Sequence, residues 1–201
     1  MEADHPVAAR VRAIAPFHVM EVQTAARALE ARGRSVVHME IGEPDFPTPE
    51  PVLAAARTAL EHGDIYYTSA LGLPELRAAI ARHYATALGA EIDPERVIVT
   101  AGSSAALLLV MALVVDRGRE ILLADPGYPC NRHFVRVLEG EPRAIPVGPA
   151  SAYQLTADLV ARHWTPATAG VLVASPSNPT GTMVPHDEMA RIVASVRARE
   201  G

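Results

Sequence analysis

Apolar and polar positions along the chain switch between two periods. In HVMEVQTAARALEARG, starting at His18, apolar residues return every three to four positions, as in an amphipathic helix, and Gly33 closes it. Residues 36–41 form a short strand candidate leading into GEPDFPTP. A helix then spans about 50–62, with Thr48 as N-cap and Gly63 past its end. Another spans 74–88, with Pro74 in its first turn and Gly89 as its stop. From Val97 onward short apolar runs alternate with helical patterns. Strands are predicted at 97–100, 121–124, 144–147 and 171–174, and helices at 103–115, 131–138, 156–164 and 185–199. These strands are apolar without alternation, as strands covered on both faces are. The pattern predicts the α/β class: part of a mostly parallel sheet covered by helices.

Composition narrows this. A chain of 201 residues suits one domain, or one domain and part of another. Hydrophobic residues make up 49% and aromatics only 4%, so the core is built from Ala, Val, Leu and Ile. The formal net charge of −5 argues against nucleic acid or an anionic membrane as partner. Cys130 is the single cysteine, which rules out an intrachain disulfide and fits a cytoplasmic location. MEADHPVAARVRA has no apolar core, so no signal peptide is expected, and the longest apolar run, 105–115, is too short to span a bilayer. All 18 basic residues are arginine; there is no lysine.

The chemistry of such a sheet gathers at the carboxyl ends of its strands. In VIVTAGSSAALLL, Gly102 breaks the strand, and Ser103 and Ser104 open a helix. Free N–H groups, a positive helix end and two hydroxyls suit a phosphate there, and an ordinary serine N-cap explains the same residues. In ILLADPGYPCNRHF, Tyr128 stands just beyond a turn, as a stacking surface for a flat ring or as a surface aromatic. In SPSNPTGT, Asn178 offers an amide donor and acceptor, and the stretch also reads as a plain turn. The eight histidines show no metal-binding spacing, and no G-x-S-x-G elbow marks a serine hydrolase.

IGEPDFPTP, YYTSALGLPELRAAI, VIVTAGSSAAL, DPGYP and SPSNPTGT follow one another in this order. Together they closely resemble the class I/II aminotransferases, pyridoxal-phosphate enzymes of fold type I, and especially the branch containing bacterial aspartate aminotransferases. The resemblance runs from about Phe17 to the end. It implies that Asn178 hydrogen-bonds the phenolic oxygen of the cofactor ring. It implies that Gly102, Ser103 and Ser104 bind the cofactor phosphate and that Tyr128 stacks on the pyridine ring. Tyr67 matches the tyrosine that reaches the phosphate of the neighbouring subunit, so a homodimer is expected; Tyr66 is the other candidate. Gly42 matches the glycine whose backbone approaches the substrate carboxylate.

Members of that family are longer. The aspartate that pairs with the ring nitrogen, the lysine that bonds the cofactor and the arginine that clamps the substrate carboxylate are expected beyond residue 201. No catalytic residue is therefore assigned within this chain, which on this reading is inactive alone. The implied reaction moves an amino group between an amino acid and a 2-oxo acid. Fold type I also hosts lyases and synthases, and a non-catalytic binding or regulatory half-protein is the reading from another class. The resemblance further implies an N-terminal arm and small-domain segment over 1–46 and the first part of the cofactor domain over 47–201. It places the strands at Ile121 and Ala144 side by side, and pairs those at Val97 and Val171 with strands from outside the chain. Cis bonds are expected at Asn178-Pro179 and Asp125-Pro126.

Overall fold

The computed structural model describes residues 7–63 and 65–199. Among them the helices are α1 (His18–Glu30), α2 (Glu50–His62), α3 (Pro74–Leu88), α4 (Gly102–Val114), α5 (Pro129–Val137), α6 (Ala157–His163) and α7 (His186–Arg197). The strands are β1 (Glu120–Asp125), β2 (Glu141–Pro146) and β3 (Thr168–Leu172). The class is α/β with a parallel sheet, as the pattern predicts. Two compact units emerge: Val19–Ser103, and the described residues up to His18 together with those from Ser104 on.

In the second of these, the sheet order is β2-β1-β3. Successive side chains of a strand face opposite ways, so one apolar strand can feed two cores. Leu122 packs with Ile145, Leu155, Val160, Val184 and Ile192, on the side of α6 and α7. Its neighbours Ile121 and Leu123 pack with Met111, Val115 and Val135, on the side of α4 and α5. The expected pairing of the Ile121 and Ala144 strands is present, with Leu123 opposite Ala144.

The expectation for Val171 is corrected: β3 pairs with β1, Val171 lying opposite Leu122. The reason lies in the prolines. β2 carries Pro142 and Pro146, which lack N–H groups and confine it to an edge, whereas β1 has no proline and can bond on both sides. Residues 97–100, whose partners are expected outside the chain, join no ladder among the described residues; the Val99 N–H donates to the Leu71 carbonyl at 3.0 Å, and the Val97 carbonyl accepts from Arg77 Nε at 3.0 Å. The strand candidate at 36–41 likewise forms no ladder.

Glu120 ties the amino end of all three strands. Its carboxylate accepts from Arg143 Nη1 on β2 at 3.2 Å, from Thr168 Oγ1 on β3 at 3.3 Å, and from Thr165 Oγ1 at 2.7 Å. Burial alone raises its pKa, but the Thr165 hydroxyl, Arg143 and Thr168 together outweigh it, and the pKa falls below its ordinary 4.5. A carboxyl depressed in the folded state stabilises the fold above its unfolded pKa and loses that contribution as pH falls through the folded value. The melting-temperature advantage of the wild type over Glu120→Gln is therefore expected to be full at pH 7 and to shrink below about pH 4.5. Parallel melting curves down to pH 3 read this directly, and a constant gap would show that ionised Glu120 contributes nothing.

In the unit Val19–Ser103, α2 and α3 keep their predicted limits, and Gly63 and Gly89 take left-handed conformations at their ends. Thr48 does not cap α2: Pro49 occupies that position, with no side-chain cap bond. Arg77 of α3 is buried, and its Nη2 also donates to the Pro94 carbonyl at 2.9 Å. His38 joins Glu30 at 3.0 Å and Glu40 at 2.7 Å, so the path towards Gly42 is held by ion pairs rather than by a ladder. Its hydrogen bond to Glu40, then that to Glu30, raises the His38 pKa.

Candidate functional site

Two parallel strands, β1 and β3, run out beside each other, and the segments that follow them line one cleft. After β1 the chain turns through the cis Asp125-Pro126 bond and Gly127. A Cβ on Gly127 would lie 2.6 Å from the Ala124 carbonyl oxygen, so only glycine fits this turn. The turn delivers Tyr128 to the N-cap position of α5. Phe17 meets the Tyr128 ring edge-on, with centroids 5.9 Å apart. Contact with Cys130, then burial, pushes the Tyr128 phenol up, which keeps this ring neutral. Arg132, one turn on, pairs with Asp125 at 3.3 Å.

The segment after β3 is shaped by its own backbone and by Gln154. The Ser177 N–H donates to the Thr182 carbonyl at 2.9 Å, and the Gly181 N–H donates to the Ser177 carbonyl at 2.7 Å. Buried Gln154 donates from Nε2 to the carbonyls of Thr182 at 2.7 Å and Ala174 at 3.3 Å, clamping both ends of the loop. Ser175 Oγ accepts from the Val184 N–H at 3.0 Å. The expected cis bonds at Asn178-Pro179 and Asp125-Pro126 are present, and Ser175-Pro176 is a third, unanticipated one. The loop holds Asn178 at the cleft with its side chain exposed and its amide making no hydrogen bond among the described residues.

Tyr128 and Asn178, nominated from separate motifs, thus line the same cleft. Ser104 is not among its lining residues. Gly102, Ser103, Gly42 and Tyr67 belong to the other unit and are described by themselves. Gly102 opens α4 at φ +80°, a backbone that favours glycine, and its N–H donates to the Thr100 carbonyl at 2.8 Å. The Ser103 and Ser104 hydroxyls make no hydrogen bond among the described residues, so neither caps the helix with its side chain. Gly42 is exposed, with open space where a Cβ would stand. Tyr67 is fully exposed.

Sequence reading missed Asn131, Arg132 and Gln154. The first two sit just past Tyr128 on an amphipathic helix, where polar residues pass for a solvated face. Gln154 had a faint signal, a polar residue next to the apolar Leu155 ahead of a helix. The cleft is lined by the aromatic Tyr128 and the uncommitted amide of Asn178, and Asn131, another lining residue, carries a buried acceptor without a partner, Oδ1. Among the described residues no group of three His, Cys, Asp or Glu is placed to hold a metal ion, and no helix is long and apolar enough to cross a membrane.

Over 181 residues the chain is 41% identical to the valine–pyruvate aminotransferase of Mycobacterium tuberculosis, covering 90% of this chain and 46% of that protein. It is 35% identical over 168 residues to the (5-formylfuran-3-yl)methyl phosphate transaminase of Methanocaldococcus jannaschii, covering 84% and 43%. Among solved structures, it superposes on the Thermus thermophilus aspartate aminotransferase with maleate at a TM-score of 0.92 and 32% identity, over 98% of this chain and 51% of that one. The chain spans about half the length of the relatives it matches. Residues 34–201 match the family described as aminotransferase class I and II, and the chain belongs to that family.

Proposed function

We propose that this chain is the part of a pyridoxal-phosphate-dependent aminotransferase that seats the cofactor, in a protein that moves an amino group between an amino acid and a 2-oxo acid. The observation that carries this reading is the convergence of Tyr128 and Asn178, from two parallel strands, on one cleft. Bound pyridoxal phosphate supplies an electron sink for the carbanion left when an amino acid loses its Cα proton. The residues of this chain bind and orient. Tyr128 covers one face of the ring with a neutral aromatic surface. Asn178, clamped through its loop by Gln154, donates to the phenolic oxygen and favours its ionised form.

The first turn of α4, Gly102-Ser103-Ser104, takes the phosphate. The Ser103 and Ser104 N–H groups have no intrahelical acceptor, and both hydroxyls are uncommitted. Gly42 lets the backbone come close to the substrate carboxylate. Tyr67, exposed over its whole side chain, suits a residue that reaches a neighbouring subunit's phosphate in a homodimer. The division into an arm and small-domain segment over 1–46 and the first part of the cofactor domain over 47–201, and a cytoplasmic location, belong to the same proposal.

Asn178→Ala removes one charge-assisted hydrogen bond, worth about 1.5–3 kcal/mol, so the dissociation constant for pyridoxal phosphate is expected to rise about 10- to 100-fold. Equilibrium dialysis of the two proteins measures it. Equal affinities would take Asn178 out of the cofactor site.

A further inference from the structure

In the motif YYTSALGLPELRAAI, which runs from Tyr66 to Ile80, only the exposed Tyr67 has so far been given a part in the site. The middle of the motif is built against something else. Arg77 is only 6% exposed, and a cation is tolerated inside a fold where its donors are matched. Its Nε donates to the carbonyls of Val97 at 3.0 Å and Pro94 at 3.2 Å, and its Nη2 donates to Pro94 at 2.9 Å. The carboxylate of Glu95, 3.3 Å away, is largely exposed, so the carbonyls hold the guanidinium more firmly than this ion pair does.

The loop ahead of α3 grips the same segment. The Leu71 carbonyl accepts from the Val99 N–H at 3.0 Å. Gly72 follows at φ +98°, and a Cβ there would lie 2.6 Å from Val99 Cγ2, so Val99 packs against bare backbone. Ser69 Oγ closes the loop by donating to the Gly72 carbonyl at 2.6 Å. In an extended segment the backbone groups of residues i and i+2 point to the same edge, so Val97 and Val99 are held from one side. The hold is carried onward by a reciprocal pair. The Gly102 N–H donates to the Thr100 carbonyl at 2.8 Å, and Thr100 Oγ1 donates to the Gly102 carbonyl at 2.9 Å. The held segment thus ends on the residue that opens α4, next to Ser103, whose hydroxyl makes no hydrogen bond among the described residues.

We infer that Arg77 is a positioning residue for the phosphate: through the Pro94 and Val97 carbonyls it fixes the course of residues 97–102, and with it the start of α4. This rests on the reading above that the first turn of α4 takes the phosphate. Arg77 itself is buried and touches no ligand. Its effect passes through a segment that joins no ladder among the described residues, so these side-chain and loop bonds set where the segment runs.

The test compares the 201-residue wild type, Arg77→Met and Arg77→Lys, with pyridoxal phosphate and pyridoxal, which lacks the phosphate, as probes. Methionine keeps much of the apolar stem without charge or donors; lysine keeps the charge and loses the fork. Partial unfolding weakens both ligands alike, so the ratio of their dissociation constants reads the phosphate alone. The preference for pyridoxal phosphate is expected to fall about tenfold in Arg77→Met and by a smaller factor in Arg77→Lys. Hydrogen exchange without ligand is expected to quicken across 97–103 in Arg77→Met and to stay at the wild-type rate in β1. A wild-type preference in Arg77→Met, or in Arg77→Lys where Arg77→Met does not fold, would overturn the inference and leave the phosphate reading standing. Unchanged exchange across 97–103 would also overturn it. A wild type that binds pyridoxal as tightly as pyridoxal phosphate would overturn the phosphate reading and this inference with it.

Discussion

Treated with pyridoxal phosphate and then borohydride, the 201-residue polypeptide is expected to gain no pyridoxyl group at any internal position, and it transfers no amino group. The cofactor's aldehyde bonds to an unprotonated amine, and the chain contains no lysine. Its 18 basic residues are all arginine, whose guanidinium stays protonated at any working pH. The one other amine is the α-amino group of Met1, with an ordinary pKa of about 7.7–8.0; Met1 lies outside the described residues. Binding and bonding therefore come apart in this chain. On the proposed reading Tyr128 and Asn178 hold the ring, while no side chain on the same polypeptide can join it as an imine. Peptide mapping by mass spectrometry after reduction tests the first half, and an assay pairing an amino acid with a 2-oxo acid tests the second. A pyridoxyl group on an internal peptide, or measurable turnover, would overturn the expectation and point to amine chemistry outside the ordinary side chains.

Much of this fold was legible because its boundaries are written in residues with a single backbone consequence. Pro74 and Gly89 bracket α3, and Gly63 closes α2, since proline fixes φ and glycine accepts the left-handed turn. The partners of the strands were less legible. A run such as Val-Ile-Val-Thr at 97–100 states that it is apolar and extended, but not what lies beside it, and its backbone groups bond to Leu71 and Arg77 instead of a ladder. The position of β3 beside β1 was readable only indirectly, through the prolines that push β2 to the edge. At the site, motif residues announced themselves and their supports did not. Tyr128 and Asn178 stand in turns, where composition is unusual. Gln154 acts from 24 positions before Asn178 in the chain, and only the folded chain brings it to the loop. The orphaned carbonyl of Asn131 is a property of packing, absent from any local pattern.

Leu122→Ala is expected to cause the largest loss of stability among single truncations in the sheet. Leu122 lies at the middle of the central strand, fully buried, between Arg143 on β2 and Val171 on β3. Its side chain packs with Ile145, Leu155, Val160 and Ile192, so the sheet, α6 and α7 share this one contact. Cutting it to alanine loses the transfer energy of the removed methyl groups and leaves a cavity that neighbours on a hydrogen-bonded strand cannot collapse to fill, at a cost of about 2–5 kcal/mol. Against a typical total of about 5–15 kcal/mol, this removes a large share of the stability. Leu113→Ala is the matched control, removing the same atoms from an α4 position that is 85% exposed, where the change is expected to stay within about 0.5 kcal/mol. Urea unfolding of the three proteins separates them: the Leu122→Ala midpoint falls with the slope unchanged, and the Leu113→Ala midpoint stays. Because β1 and β3 both end at the cleft, affinity for pyridoxal phosphate falls with the folded fraction in Leu122→Ala and holds in the control. Equal midpoints for the two variants would mean that Leu122 does not anchor the core that positions Tyr128 and Asn178.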